Sequence, residues 1–152
     1  MNEKNSTRLE NQLCFTIYAA SREMTKLYRP FLEELGLTYP QYLAMLVLWE
    51  DEQVTVKKLG EKLFLDSGTL TPMLKRMEAH SLVTRHRDKE DERKVVITLT
   101  VEGKQLEKKA QCIPEQLLMA THVSQLDVES LLNQLKILLN EVHTQNEKTS
   151  QK

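Results

Sequence analysis

The apolar residues of this chain recur with a helical period except in one stretch, where the period changes to two. Before Ser81 and after Thr100, apolar side chains return every three or four residues, as in amphipathic helices. Between these positions, residues 82–87 and 94–99 alternate in polarity and flank the charged tip 88–92. Two alternating segments around a short polar tip indicate a β-hairpin. The sequence therefore predicts a mainly α fold with a small hairpin.

Six helices are expected around this hairpin. Their predicted starts are Leu9, the capping box Thr38–Gln41, Thr55, Asp66 or Ser67, Thr100 and Ser124. Pro30 allows a kink in the first helix, and Pro72 predicts either a distortion or a later start of the fourth. Pro114 is expected to bend or end the fifth helix, and the tail from Thr144 is expected to fray.

The third and fourth helices are separated by about three residues and are followed by the hairpin. This order is typical of a winged helix-turn-helix, whose second helix enters the major groove of DNA. The chain has 21 Lys+Arg and 22 Asp+Glu, so bulk charge does not favour nucleic acid. Residues 54–87, however, carry seven basic and three acidic side chains, a net charge of +4. A local DNA-binding face is therefore expected.

With 152 residues, the chain is expected to form a single domain, 1–152. Residues 38–100 would form the DNA-binding region, and 8–35 and 101–146 would mainly form dimerisation helices. No apolar run is long enough to span a membrane, and the polar N-terminus does not resemble a signal peptide, so a cytoplasmic protein without a membrane partner is expected. The four histidines lack ligand spacing, so neither a metal site nor a cofactor is predicted.

On a helical wheel, the fourth helix separates into an apolar and a polar side. The apolar side comprises Leu70, Met73, Leu74 and Met77, and the polar side comprises Thr69, Pro72, Lys75, Arg76 and Ala79. The two methionines could be oxidation sensors, but their helical spacing with leucine favours core packing. Lys75 and Arg76 could face solvent or DNA. Thr69 and Thr71 could donate hydrogen bonds to phosphates or base edges.

The hairpin also carries a family signature. Residues 91–103, DERKVVITLTVEG, match the wing pattern D-x-R-x-x-x-[IV]-x-L-T-x-x-G, and the chain thereby resembles the MarR family of dimeric winged-helix regulators. The stretches LENQLCF, SREMTKLY, TYPQYL and LDSGTLTPMLKRME look like its OhrR branch, which senses organic hydroperoxides. The resemblance covers nearly all of residues 9–110.

The resemblance implies roles for particular residues. The peroxide-reactive thiol would be Cys14, with Tyr28 and Tyr39 of the other subunit donating hydrogen bonds to it. The DNA contacts would fall on Ser67, Thr69, Thr71, Pro72, Lys75, Arg76, Arg85 and Arg93, with Asp91 orienting Arg93. Some members have a second, resolving cysteine, and Cys112 could be resolving or structural. The implied partners are a second copy of the chain, a near-palindromic DNA operator, an organic hydroperoxide and, for the oxidised form, a low-molecular-weight thiol.

Helix geometry independently favours a contact between subunits. Tyr28 follows Cys14 by 14 residues, about 21 Å along one helix, so the two cannot touch within a chain. Both lie at the border of the same apolar stripe, where a crossing partner helix could join them. No cation lies one turn from Cys14, and the helix is expected to begin more than a turn earlier, so the tyrosine hydroxyls are the expected stabilisers of a reactive thiolate.

Three other interpretations remain open. Cys14 could be a buried apolar side chain, or incidental in a regulator that binds a small phenolic or lipophilic ligand. The third is a thiol peroxidase, but no second thiol, histidine or arginine has a local spacing that suggests a catalytic site. The expected function is therefore a redox-responsive DNA-binding repressor and not an enzyme.

Overall fold

The computed structural model describes residues 7–121 and 127–150 and has the predicted fold class. The helices are α1 (Leu13–Glu34), α2 (Tyr39–Asp51), α3 (Val56–Leu63), α4 (Ser67–Ala79), α5 (Val101–Ala110), α6 (Ile113–Thr121) and α7 (Val128–Ser150). The strands are β1 (Gln53–Thr55), β2 (Val83–Arg87) and β3 (Val95–Leu99), which form an antiparallel sheet in the order β1-β3-β2. The predicted winged helix-turn-helix with its hairpin is confirmed.

The chain divides into two compact units, Met1–Ile113 and Pro114–Lys152. The first contains the helix-turn-helix, the sheet and α1, and the second contains α7 and all but the first residue of α6. The expectation of a single domain over 1–152, and the division of labour among 8–35, 38–100 and 101–146, remain predictions.

The sheet contains one strand that the sequence pattern did not predict. β1 pairs with β3, aligning Val54 with Ile97, while β2 pairs with the other edge of β3. Val54 and Ile97 are both buried. Three residues are too few for an alternating pattern to be recognised, so only the hairpin was predictable.

Side-chain caps fix several helix starts where the sequence predicts them. The backbone N–H groups of Lys58, Thr69 and Gly103 donate to the side-chain oxygens of Thr55, Asp66 and Thr100 at 3.1, 2.9 and 2.9 Å. The N–H of Thr38 donates to Oε1 of Gln41 at 2.8 Å, as expected in a capping box. Three residues separate α3 from α4, as predicted. The proposed Ser124 cap lies outside the described residues.

The predicted start of the first helix is wrong. Leu9–Asn11 form a short 3-10 turn and Gln12 is extended, so α1 begins at Leu13. The apolar stripe continues through both segments, which is why periodicity alone placed the start too early. Cys14 is consequently the second residue of α1, within its first turn.

Of the expectations at Pro72 and Pro114, one is wrong and one is confirmed. A later start of the fourth helix is wrong: α4 begins at Ser67, fixed by the Asp66 cap, and contains Pro72. The fifth helix ends at Ala110, before Pro114, as predicted. Pro114 then lies in the first turn of α6, where its missing N–H costs no helical hydrogen bond.

The prediction that the tail frays from Thr144 is also wrong, because α7 continues to Ser150. The hydroxyls of Thr144 and Thr149 donate to the carbonyl groups four residues earlier, at 2.8 and 2.9 Å. The Gln, Glu and Lys residues among them are good helix formers, so polar composition alone did not predict a break.

The core of the first unit surrounds α2. Its largest fully buried side chains are Leu32, Met45, Leu48, Leu59, Leu70, Leu74, Met77, Val83 and Ile97. The apolar side predicted for α4 therefore faces the core at Leu70, Leu74 and Met77, and Met73 is half-buried. This burial fixes the opposite side of α4, with Lys75 and Arg76, toward solvent.

Candidate DNA interface and redox site

The start of α4 is held by hydrogen bonds within the chain. Asp66 accepts the hydroxyl proton of Thr69 at 2.8 Å as well as its N–H, and the Thr71 hydroxyl donates to the Ser67 carbonyl at 2.7 Å. These bonds, first that from the Thr69 side chain, hold the pKa of Asp66 below its usual value. Both threonine hydroxyl protons are therefore engaged in the free protein, and donating them to DNA requires their rotation.

An ion pair connects the hairpin to α4. Arg85 of β2 places Nη2 2.7 Å and Nε 2.8 Å from Oε2 of Glu78, and its backbone N–H donates to Oε1 at 3.0 Å. The hydrogen bond from the Arg85 side chain is the main reason that the pKa of Glu78 is lowered. Arg85 thus holds the wing and α4 in a fixed relation, a role that its sequence position did not reveal.

The side chain of Arg93 extends from the wing tip into solvent. The side chain of Arg93 is 97% exposed, and its backbone N–H donates to Oδ1 of Asp91 at 3.2 Å. Its Nε lies 3.9 Å from the same oxygen, and Nζ of Lys94 lies 3.5 Å from Oδ2. Asp91 thus lies within ion-pair distance of both cations, and its orienting role remains a prediction. Oδ1 of Asp88 accepts two N–H groups of the tip and fixes its turn.

A cavity of about 350 Å³ opens between the starts of α3 and α4 and the wing. It is lined by Thr55, Val56, Lys57, Ser67, Thr71, Leu74, Arg85, Arg93, Lys94 and Val95. Four candidate DNA contacts meet there, whereas Thr69, Pro72, Lys75, Arg76 and Asp91 lie outside its lining. Lys57 and Lys94 also line this cavity, and neither was among the candidate DNA contacts. The position of Lys57 just after the Thr55 cap and that of Lys94 beside Arg93 were the available signals.

Tyr28 and Tyr39 meet within one chain, and Cys14 is remote from them. The ring centroids of the two tyrosines are 5.0 Å apart. Cys14 is exposed and lies 14 residues before Tyr28 in α1, about 21 Å along the helix axis. The interpretation of Cys14 as buried is therefore wrong for the single chain.

The two tyrosine hydroxyls are protonated at neutral pH. Burial raises the pKa of both groups above the ordinary value of about 10, and the neighbouring Tyr39 adds to the effect at Tyr28. Each phenol is therefore a hydrogen-bond donor over the physiological range.

Cys112 lies in the two-residue connection between α5 and α6. It is exposed, its Sγ lies 3.5 Å from the carbonyl oxygen of Lys109, and both cysteines are free thiols. The structure does not bring Cys112 into a cluster with Cys14.

Both terminal helices expose apolar faces. In α1 the exposed large apolar residues include Leu13, Phe15, Ile17, Met24 and Leu27. In α7 they are Val128, Leu131, Leu132, Leu135, Ile137, Leu139 and Val142, with exposed fractions between 41% and 65%. Continuous apolar faces of this size mark interaction surfaces.

Neither a metal cluster nor a membrane-spanning helix is found in the described part of the chain. No three His, Cys, Asp or Glu side chains in residues 7–121 and 127–150 are grouped to hold a metal ion. No described helix is long and apolar enough to cross a membrane.

The chain is similar in sequence to known transcriptional regulators. Residues 26–113 match the family described as transcriptional regulator SarA/Rot. The organic hydroperoxide resistance transcriptional regulator of Bacillus subtilis is 55% identical over 145 residues, which are 95% of this chain and 99% of that protein.

Solved structures agree. Reduced AbfR bound to DNA superimposes with a TM-score of 0.79 at 36% identity, over 93% of this chain and 99% of that one. A mutant MarR from E. coli complexed with operator DNA gives 0.71 at 25% identity, over 86% and 92%. The chain therefore belongs to the MarR-type winged-helix transcriptional regulators, in the branch of the organic hydroperoxide resistance regulators.

Proposed function

We propose that this protein is a homodimeric repressor that binds its operator when Cys14 is reduced and releases it when an organic hydroperoxide oxidises Cys14. The observation that carries the proposal is the Tyr28–Tyr39 pair. The rings of Tyr28 and Tyr39 lie 5.0 Å apart between centroids, and both hydroxyls are protonated. The thiol of the same chain lies too far along α1 to accept a hydrogen bond from the Tyr28 hydroxyl. A second subunit supplies the missing thiol. As a transcriptional regulator that binds DNA, the protein acts in the bacterial cytoplasm.

The exposed apolar faces of α1 and α7 support the homodimer. A single chain leaves both faces in water, and a crossing of two copies of α1 would bury the first while bringing Cys14 of one subunit toward Tyr28 of the other. The dimer therefore both hides apolar surface and completes the redox site.

The described cavity supports a specific path for DNA. With α4 in the major groove and Arg93 in the adjacent minor groove, the phosphate strand that separates the grooves must pass between α4 and the wing. The cavity lies there, and Lys57, Arg85, Arg93 and Lys94 supply its positive charge. We assign Lys57 and Lys94 to backbone phosphates and Arg93 to the minor groove, with Lys75 and Arg76 serving the major groove.

Salt-dependent binding tests this path. Lys57→Ala and Lys94→Ala should each lower the slope of log affinity against log salt by roughly one, whereas Arg93→Ala should lose about 1–3 kcal/mol and relax specificity. Lys58→Ala, the next residue on α3 but outside the cavity lining, is the matched control. Full operator affinity in Arg93→Ala contradicts the wing assignment.

The oxidation step follows thiolate chemistry. The Cys14 thiolate attacks one peroxide oxygen, the O–O bond breaks, and the leaving alkoxide takes a proton to become an alcohol, which leaves a sulfenic acid on Cys14. That sulfenic acid then condenses with a thiol or a backbone nitrogen and releases water. The partner's tyrosine hydroxyls stabilise the thiolate. Because α1 begins at Leu13, the positive end of its peptide dipoles also lies beside the Cys14 thiolate. The expected helix start at Leu9 had placed that end more than a turn away.

Replacement of the thiol tests the function directly. Cys14→Ser should bind operator DNA like the wild type and should stay bound when organic hydroperoxide is added. Mass spectrometry of the wild type after graded hydroperoxide, run beside DNA binding, should show one oxygen or a disulfide at Cys14 as release occurs. Peroxide-driven release of Cys14→Ser refutes the proposal.

The partner of oxidised Cys14 is a separate question. Cys112 is exposed and could resolve the sulfenic acid, or a low-molecular-weight thiol could do so. Non-reducing gels of peroxide-treated protein distinguish them: a disulfide lost in Cys112→Ser assigns resolution to Cys112, and an unchanged response in that variant assigns it elsewhere.

A second candidate function rests on a cavity of about 410 Å³ beside the tyrosine pair. Its lining includes Leu32, Leu37 and Tyr39 together with the cations Lys26 and Arg29, which suits a small lipophilic or phenolic acid. A ligand-controlled regulator should still release DNA after its thiols are blocked, whereas the redox repressor should not. Continuous consumption of hydroperoxide with a thiol reductant would instead indicate a peroxidase, and we expect a single stoichiometric oxidation.

A further inference from the structure

An aromatic cluster extends from the tyrosine pair into the core. The ring of Tyr42 lies 5.8 Å from Tyr28 and 6.5 Å from Tyr39, measured between centroids, and Trp49 lies 6.2 Å from Tyr42 with its ring edge-on. Tyr42 is buried, and Trp49 lies two helical turns further along α2. The rings of Tyr28, Tyr42 and Trp49 therefore form a continuous series of contacts, through which a displacement of Tyr28 or Tyr39 is passed to Trp49.

Trp49 is hydrogen-bonded to α5, the helix that follows the wing in sequence. Its indole N–H donates to the carbonyl oxygen of Gly103 at 2.9 Å, across 54 residues of sequence. The N–H of Gly103 donates to Oγ1 of Thr100 at 2.9 Å. That hydroxyl in turn donates to the carbonyl oxygens of Ser81 and Leu82 at 2.6 and 2.9 Å. The bonds end at the residues that open β2.

Gly103 makes this connection stiff. A methyl group on its Cα would overlap the Leu82 carbonyl oxygen and would lie 2.7 Å from Cδ1 of Leu99, which is shorter than a van der Waals contact. The start of α5 therefore rests directly on the chain that enters β2. Since Arg85 of β2 is paired with Glu78 of α4, movement of Leu82 moves the wing and the DNA-reading helix together.

We propose that Trp49 is a positioning residue that couples the redox site to the wing, through its hydrogen bond to Gly103. This inference rests on the proposed redox function. When Cys14 of the partner subunit is oxidised, Tyr28 and Tyr39 lose their acceptor and repack. Tyr42 and Trp49 follow, and the Trp49–Gly103 bond carries the change to Leu82 and β2. The reduced state holds the wing in its DNA-binding position by the same contacts.

The test compares two substitutions that each remove one polar group and keep an aromatic side chain at the position. Trp49→Phe removes the donor to Gly103, and Tyr42→Phe removes a hydroxyl while the ring contacts remain. Operator affinity is measured for reduced and oxidised protein. Oxidation should lower the operator affinity of the wild type and of Tyr42→Phe by about 5- to 150-fold, the usual range of allosteric coupling. It should lower the operator affinity of Trp49→Phe by less than about twofold. Equal weakening in Trp49→Phe and wild type overturns the proposal.

Fluorescence provides a second measurement that needs no variant of Trp49. The chain has a single tryptophan, so its emission reports on Trp49 alone. Organic hydroperoxide should shift the emission of the wild type and leave Cys14→Ser unchanged. An emission that stays constant while Cys14 is oxidised and DNA is released also overturns the proposal, even if Trp49→Phe fails to fold.

The outcomes separate this inference from the function on which it rests. If wild-type protein does not release DNA on oxidation, or if Cys14→Ser does, the proposed function fails. If the wild type responds through Cys14 and Trp49→Phe responds equally, only the coupling role of Trp49 fails.

Discussion

At the scale of single residues, the proposed redox site depends on two half-buried phenols. If Tyr28 and Tyr39 donate to the Cys14 thiolate of the partner, Tyr28→Phe and Tyr39→Phe should bind DNA normally but oxidise about tenfold more slowly, because a hydrogen bond to a charged group contributes about 1.5 kcal/mol or more. The rate of Cys14 oxidation by cumene hydroperoxide, followed by mass spectrometry, measures this. Tyr18→Phe, an exposed tyrosine on the same helix, is the control and should react at the wild-type rate.

The same tyrosines make the fold sensitive to alkali. Burial raises the pKa of Tyr28, Tyr39 and Tyr42 above that of the unfolded chain. A group with a raised folded pKa contributes stability that is complete below its unfolded pKa and is lost as the pH rises through the folded value. We expect thermal stability to fall above pH ~10 as phenolate forms. Phenolate absorbance rising well before unfolding would show that these rings are not held as the structure indicates.

Gly103 is the residue of the wing signature for which packing gives a clear reason. Gly103→Ala forces a methyl group against the Leu82 carbonyl and should destabilise the fold by about 1–3 kcal/mol, the usual result of overpacking. Chemical denaturation measures the change. Val101→Ala, at an exposed position of the same helix, should stay within about 0.5 kcal/mol of wild type.

At the scale of elements, the Glu78–Arg85 pair unites α4 with β2. The pKa of Glu78 is depressed, mainly by the hydrogen bond from Arg85, so its contribution to stability is present above the unfolded pKa and is lost as the pH falls through the folded value. Glu78→Gln should therefore have a lower melting temperature than the wild type at pH 7. The two melting temperatures should converge as the pH falls below about 4. Glu61→Gln removes a distant partner of Lys57, 4.0 Å away, and should barely change the melting temperature. A constant difference across this pH range contradicts the assigned role.

For the whole molecule, the exposed faces of α1 and α7 predict an obligate dimer and a two-fold operator. Leu132→Glu should shift sedimentation toward the monomer and weaken DNA binding, whereas Asn133→Glu on the same helix should not. Footprinting should show half-sites of a near-palindrome centred about 10 base pairs apart. A single protected half-site contradicts the two-fold arrangement.

Elements that depend on local chemistry could be predicted from the sequence. The caps at Thr55, Asp66 and Thr100 need only a side-chain oxygen three residues before an N–H, and the alternation in 82–87 and 94–99 requires only neighbouring residues. The wing signature and the similarity to a known branch were enough to indicate the family and the candidate residues Cys14, Tyr28 and Tyr39.

Tertiary structure decided the features that depend on residues distant in sequence. β1 is too short to recognise and exists because β3 offers it a partner, while the start of α1 at Leu13 was hidden under a continuous apolar stripe. Lys57 joins Lys94 in one cavity, and Trp49 reaches Gly103 across 54 residues, only after the core has folded. Local patterns record the hydrogen bonds and periodicity of each segment. The pairings between segments are set by packing, which no single window of the sequence contains.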